Sequence, residues 1–203
     1  MKKMPVVFVI LFSVLCLPPP VISQSSQSLD WQIQFLRGSA LESVPLDDAI
    51  KMGKNSEFNL AIKADSTSYC YVIFYDDDRQ FHVLHNQALR AGVELRTGGY
   101  INEPSRRQTV YVIMSLSRQT DLERMITAHG RNPDSRQNNN NLFNEIAKLQ
   151  KDSSPWEQDG PNITRAGGNR SGNTAIESGN TSQIPATKFS GKDFYVLLID
   201  VDP

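Results

Sequence analysis

An antiparallel β-sandwich-like domain with two short helices, a mainly β (α+β) fold, is what this sequence predicts, on three observations. First, Trp31, Ile33 and Phe35 alternate with Gln32 and Gln34, and Phe58, Leu60, Ile62 and Ala64 share one side of 57–64 while Asn59 and Lys63 take the other. That is the period of strands buried on one face. Second, 69–75, 109–116 and 194–201 are apolar on both sides, as strands covered above and below are. Third, helical periodicity is confined to 120–151.

Taken in order, the chain opens with Lys2 and Lys3, an apolar run from Val6 to Leu17, and three prolines before Val21-Ile22-Ser23. This is the pattern of a secretory signal peptide over 1–23, with cleavage expected after Ser23. The run is shorter than the ~20 residues a membrane helix needs, so no transmembrane anchor is expected after its removal. Cys16 invites a lipoprotein reading, but Leu15 stands where a small residue precedes a lipidated cysteine, so an ordinary place in the apolar run is preferred.

The mature domain, 24–203, begins with a polar leader and the strand around Trp31. In 41–52, Pro45 suits a helical turn or an irregular loop better than a sheet interior, and 53–56 is turn chemistry. The strand at 57–64 is followed by the polar link Asp65-Ser66-Thr67-Ser68, which predicts a hairpin to 69–75. That strand carries Tyr69, Tyr71, Ile73 and Tyr75 on one side and Cys70, Val72 and Phe74 on the other. Asp76-Asp77-Asp78-Arg79-Gln80 then turns the chain into a strand at 81–85. A short edge strand is expected at 93–96, ending before Gly98-Gly99.

Thr120 is the expected cap of a first helix, with Asp121 and Glu123 at its positive end and Leu122, Met125 and Ile126 as its apolar stripe. Gly130 and Pro133 end it. After the polar run 138–141, Leu142, Phe143, Ile146 and Leu149 form one face of a second helix. From 153 to 188 periodicity is lost, and the stretch reads as a long disordered loop, a flexible insertion before the last strand. The single β-rich domain therefore needs 29–151 plus 189–203.

Charge and cysteine content narrow the function classes. Removing 1–23 takes away two lysines and no acid, leaving 19 basic and 22 acidic side chains, a formal charge of −3. Such a surface offers no electrostatic attraction to nucleic acid or anionic lipid. The mature chain keeps only Cys70, so stability rests on packing, with the thiol expected in the core.

The run Gly53, then Tyr69-Cys70-Tyr71-Val72-Ile73-Phe74-Tyr75-Asp76, Gln80 to Asn86, and Ala91-Gly92-Val93-Glu94-Leu95 resembles a bacterial family, domain of unknown function 4384. Met114-Ser115-Leu116-Ser117 and the final strand fit its layout. His85 stands where the family has proline, Arg79 where it has glycine, and Thr97-Gly98-Gly99 replaces a further proline. The resemblance implies a β-rich accessory module of exported proteins and no specific activity.

No catalytic, cofactor or metal constellation is expected. Asp76, Asp77 and Asp78 fit a solvated turn better than a calcium site. His82 and His85, three apart on a strand, are expected on opposite faces, and His129 lies far away in sequence, so no zinc set forms. Arg106-Arg107 reads as a turn, and the serines lack a nucleophile elbow. Asn162, Asn169 and Asn180 fit the glycosylation pattern but lie in an Asn- and Ser-rich stretch where matches arise by chance. Tyr69, Tyr71 and Tyr75 are candidates for a ligand platform, with core packing favoured.

The expectation is an exported, non-enzymatic interaction or accessory module of the bacterial cell envelope, periplasmic or secreted, with another envelope protein as partner. A carbohydrate- or peptidoglycan-binding domain contacting cell-wall glycan is the alternative, and a hydrolase the third reading.

Overall fold

The computed structural model describes residues 28–46, 49–101, 106–153, 186–191 and 193–202. The signal segment with Cys16 and Ser23, the three glycosylation patterns and most of the 153–188 insertion lie outside them. The strands are β1 (Leu29–Arg37), β2 (Glu42–Val44), β3 (Ile50–Lys51), β4 (Ser56–Ala64), β5 (Ser68–Tyr75), β6 (Phe81–Leu89), β7 (Glu94–Ile101), β8 (Gln108–Ser115), β9 (Thr187–Gly191) and β10 (Phe194–Asp202). The helices α1 (Thr120–Arg131) and α2 (Arg136–Asp152) stand between β8 and β9.

Two sheets form. The first runs β2-β1-β4-β7, with β9 beside β2 on the outer edge of β1; the second runs β3-β10-β8-β5-β6. Every pairing is antiparallel except that of β3 with β10. The alternating residues of β1 and β4 meet Cys70, Val72, Phe74, Val112 and Leu197 in a core between the sheets. The far face of the second sheet, with Tyr71, Ile73, Ile113 and Val196, is covered by Leu122, Ile126, Leu142, Ile146 and Leu149 of the helices. The molecule is thus three layers, sheet on sheet on helices, and β5, β8 and β10 are apolar on both sides because each has a layer above and below.

Several expectations are corrected. β4 and β5 are not a hairpin: β4 pairs with β1 and β7, and β5 with β6 and β8. The link between them crosses from sheet to sheet, held where Asp65 N–H donates to Asp30 O at 2.8 Å. A polar three- or four-residue link serves either route, and burial decides, because Ala64 and Cys70 both face the inter-sheet core.

The stretch around Pro45 holds two short strands, β2 and β3, where an irregular loop or helical turn was expected. β7 continues through Gly98 and Gly99 to Ile101, pairing with Ser56 to Lys63 of β4 throughout. β9, inside what the sequence reads as the insertion and its boundary, pairs with Leu29–Ile33 of β1. Its Phe189 stacks on Trp31 with ring centroids 4.5 Å apart.

The helix ends also differ from expectation. Thr120 is the first helical residue and Gln119 the cap, without a side-chain bond of its own. Instead Tyr71 of β5 supplies the acceptor: Gln119 N–H donates to its hydroxyl at 3.0 Å, and that hydroxyl donates to Glu123 at 3.0 Å. α2 starts at Arg136, capped by Ser135, so the asparagine run lies inside the helix. Asparagine is a poor helix former, but here Asn138 Nδ2 donates to Ala128 O at 2.9 Å and to Asn132 O at 3.3 Å, closing the end of α1. Phe143 is 46 % exposed, off the buried stripe of Leu142, Ile146 and Leu149.

Candidate functional site

The acidic turn sits at one end of the sandwich. Arg79 takes the left-handed conformation, φ 63°, and the chain closes through Asp76 N–H to Gln80 O at 3.1 Å and Arg79 N–H to Asp76 O at 3.2 Å. The Asp76 carboxylate accepts Gln80 N–H at 2.8 Å and lies 2.6 Å from His82 Nε2. Asp76 is therefore a turn residue, as its type suggests. Asp78 is exposed.

Beyond the turn, β6 carries a bulge. Val72 pairs with His85 but Ile73 with Val83, leaving Leu84 as the extra residue. The bulge changes the parity of the strand, so His82, opposite Phe74, and His85, opposite Val72, share a face. They are not on opposite faces as simple alternation predicts. They still do not converge: His82 pairs with Asp76, while His85 is half-buried with its Nε2 unpartnered. Burial holds His85 below the ordinary imidazole value. His129 is buried under the helices, its Nε2–H donating to Phe81 O at 2.8 Å. Among the described residues no three His, Cys, Asp or Glu side chains are grouped to hold a metal ion.

Between the turn and the end of β7 lies a cleft of about 640 Å³. Phe74, Leu84 and Ile101 give it an apolar lining, and Asp76, Asp77, Asp78 and His82 a polar one; Gly99, Tyr100 and Gln108 complete the far wall. Tyr100 is 54 % exposed. Gln108 is only 2 % exposed, and its Oε1 meets no donor. Neither residue stands out in the sequence. Tyr100 follows two glycines, and Gln108 is simply the polar residue at the mouth of an apolar strand.

The tyrosines of β5 share the face that alternation assigns them. Tyr71 is fully buried beneath α1, and burial raises its phenol to about 12. Its partner Glu123 is held below the ordinary carboxylate range by the Arg118 guanidinium 2.6 Å away. Tyr69 and Tyr75 are half-buried beside the helices, Tyr75 with its ring 4.6 Å from Phe81 and 6.3 Å from Phe143. The three rings are layered into the sheet–helix interface and do not form an open stacking surface.

Cys70, on the opposite side of the strand, is completely buried, and burial pushes its thiol up to about 12. Thiolate is the reactive form. Cys70 is therefore expected to resist a maleimide or disulfide reagent at neutral pH and to react once urea unfolds the chain; rapid labelling of the folded protein would contradict this placement.

The outer edge of β10 is open over part of its length. Asp193 O accepts Leu116 N–H, and Asp202 O accepts Met52 N–H. These two bonds set the parity of β10: odd residues bond β8, and even residues turn their backbone groups outward. β3 meets only Val201 and Asp202. The outward backbone of Phe194, Val196 and Leu198 therefore meets no strand among the described residues. By contrast, the β6 edge is blunted by its bulge and by Thr97 Oγ1, which donates to Leu84 O at 3.1 Å. Arg107 is no basic patch, being paired with Asp202 at 2.8 Å and Asp200 at 3.4 Å.

The fold and these features define a two-sheet β-sandwich with a helical cover, whose distinctive groups lie at one cleft and one strand edge. No helix among the described residues is long and apolar enough to cross a membrane. Comparison with protein-family models, with curated proteins and with solved structures finds no match.

Proposed function

We propose that the chain is an exported, non-enzymatic interaction or accessory module of the bacterial cell envelope, which engages a protein partner by strand addition at the outer edge of β10. The observation that carries this reading is the edge itself: an apolar strand with a full antiparallel neighbour on one side and, among the described residues, no strand beside Phe194 to Leu198 on the other. Such an edge is a template for an extended segment of another chain. The N-terminal pattern and the family resemblance support the exported setting. The layered tyrosines favour protein contact over sugar stacking, since Tyr71 has no free ring face to offer.

The parity of β10 gives a clean test. Leu198 N–H points outward and Leu197 N–H points to β8, so proline at 198 removes a donor only from the open edge. Leu198→Pro is expected to fold and to lose a site-specific photo-cross-link formed from position 194 in the envelope fraction. Leu197→Pro is expected to unfold. A cross-link that survives Leu198→Pro would overturn the edge, and no cross-link in the unsubstituted chain together with binding to isolated cell wall would overturn protein contact in favour of glycan binding.

A further inference from the structure

We propose that the cleft at the acidic turn is a second, separate site, which binds an alkylguanidinium or alkylammonium group. Three features converge on that chemistry. Gln108 lines the cleft, and its buried Oε1 is an acceptor without a donor; nearly all such atoms in folded proteins are paired, so a donor is what this residue lacks. The exposed Asp78 borders the same space, and among the described residues no lysine or arginine lines it. Tyr100, 54 % exposed, offers an aromatic ring in that wall, and a cation held over such a ring gains from its quadrupole.

Shape separates an organic cation from a bare ion. The cleft, about 640 Å³, has the size of small-molecule sites, and Phe74, Leu84 and Ile101 supply an apolar surface for an alkyl stem. The turn alone accounts for Asp76, whose carboxylate serves Gln80 N–H and His82. It does not require a buried acceptor at Gln108 or an exposed ring at Tyr100. The site also stands apart from the strand-addition edge, for Gln108 pairs with Val201, at the opposite end of β10 from Phe194.

The test is an NMR titration of the full chain with n-butylguanidinium, with a short apolar peptide bearing one arginine, and with the same peptide bearing neutral citrulline. Saturable shifts at the Gln108 side-chain amide and the Tyr100 ring are expected with both cations, and binding about tenfold weaker with citrulline. Asp78→Asn and Tyr100→Ala, both at exposed positions, are each expected to weaken binding severalfold while leaving thermal unfolding unchanged. A peptide that binds tighter than butylguanidinium assigns the cation to a partner protein, and equal binding assigns it to a small molecule; either supports the site. No saturable shift at millimolar ligand, or citrulline binding as well as arginine, overturns it. The β10 cross-link is untouched by Asp78→Asn, so the two proposals fail independently.

Discussion

A chain ending at Lys151 or at Pro185 is expected to be unfolded or insoluble. Both truncations remove β9 and β10, and β10 is paired with β8 along its length from Phe194 to Val201. Although only the last two residues of β10 meet β3, its side chains and that of Phe189 are core: Phe189, Val196, Leu197, Ile199 and Val201 are each at most 7 % exposed. Burial of such side chains is worth about 1.5–3 kcal/mol each, so their loss is on the order of 10 kcal/mol, comparable with the whole stability of a domain, about 5–15 kcal/mol. The remainder suffers too: β8 becomes an apolar edge, and Trp31 loses its stacked partner Phe189. Collapsed amide dispersion and no cooperative melt are the expected readouts. The Pro185 truncation isolates the two strands from the preceding segment, and a soluble, cooperatively unfolding product from it would contradict this account.

That prediction was legible from sequence, since a strand apolar on both sides must find layers on both sides. The same logic correctly placed β5 and β8 inside the sandwich and gave each helix a single buried stripe. What alternation could not reveal is which strand each one pairs with. The link 65–67 suits a hairpin or a crossing equally well, so the pairing of β4 with β1 and β7 depended on distant partners. Parity arguments also fail silently at a bulge: Leu84 is an unremarkable leucine, yet it moves His82 and His85 onto one face. β9 was hidden because Lys188 and Ser190 face outward and only Phe189 is buried. The cleft was half legible. Its acidic turn is plain in the sequence, whereas the orphaned Gln108 Oε1 exists only once β8 is docked. The sequence favours core packing for the tyrosines, but the helices that cover them lie some fifty residues further along, so what covers them is not legible locally.

Phe58→Ala is expected to cost about 3–5 kcal/mol, and that loss should relieve only one of the two glycines that pass it. Phe58 is fully buried, stacked on Phe35 at 5.4 Å and edge-on to Phe74 at 5.4 Å. β7 passes it with two glycines. A Cβ at Gly99 would lie 2.9 Å from the Phe58 ring, whereas one at Gly98 would lie 2.0 Å from the Phe58 carbonyl oxygen and 2.9 Å from Asn59 Cα. The first clash is with a side chain held between two other rings; the second is with backbone, and only separation of β7 from β4 relieves it. Each alanine should therefore destabilise by about 1–3 kcal/mol or more, Gly98→Ala the more severely. Gly53→Ala, whose Cβ meets Ser56 Oγ at an ordinary 3.6 Å, should stay within about 0.5 kcal/mol. In the Phe58→Ala background the ring is gone but the carbonyl is not, so Gly99→Ala should become nearly neutral while Gly98→Ala keeps its full cost. Urea unfolding of the two double-mutant cycles measures this coupling. Equal relief of both glycines would mean that β7 is not pinned to the backbone of β4 as described.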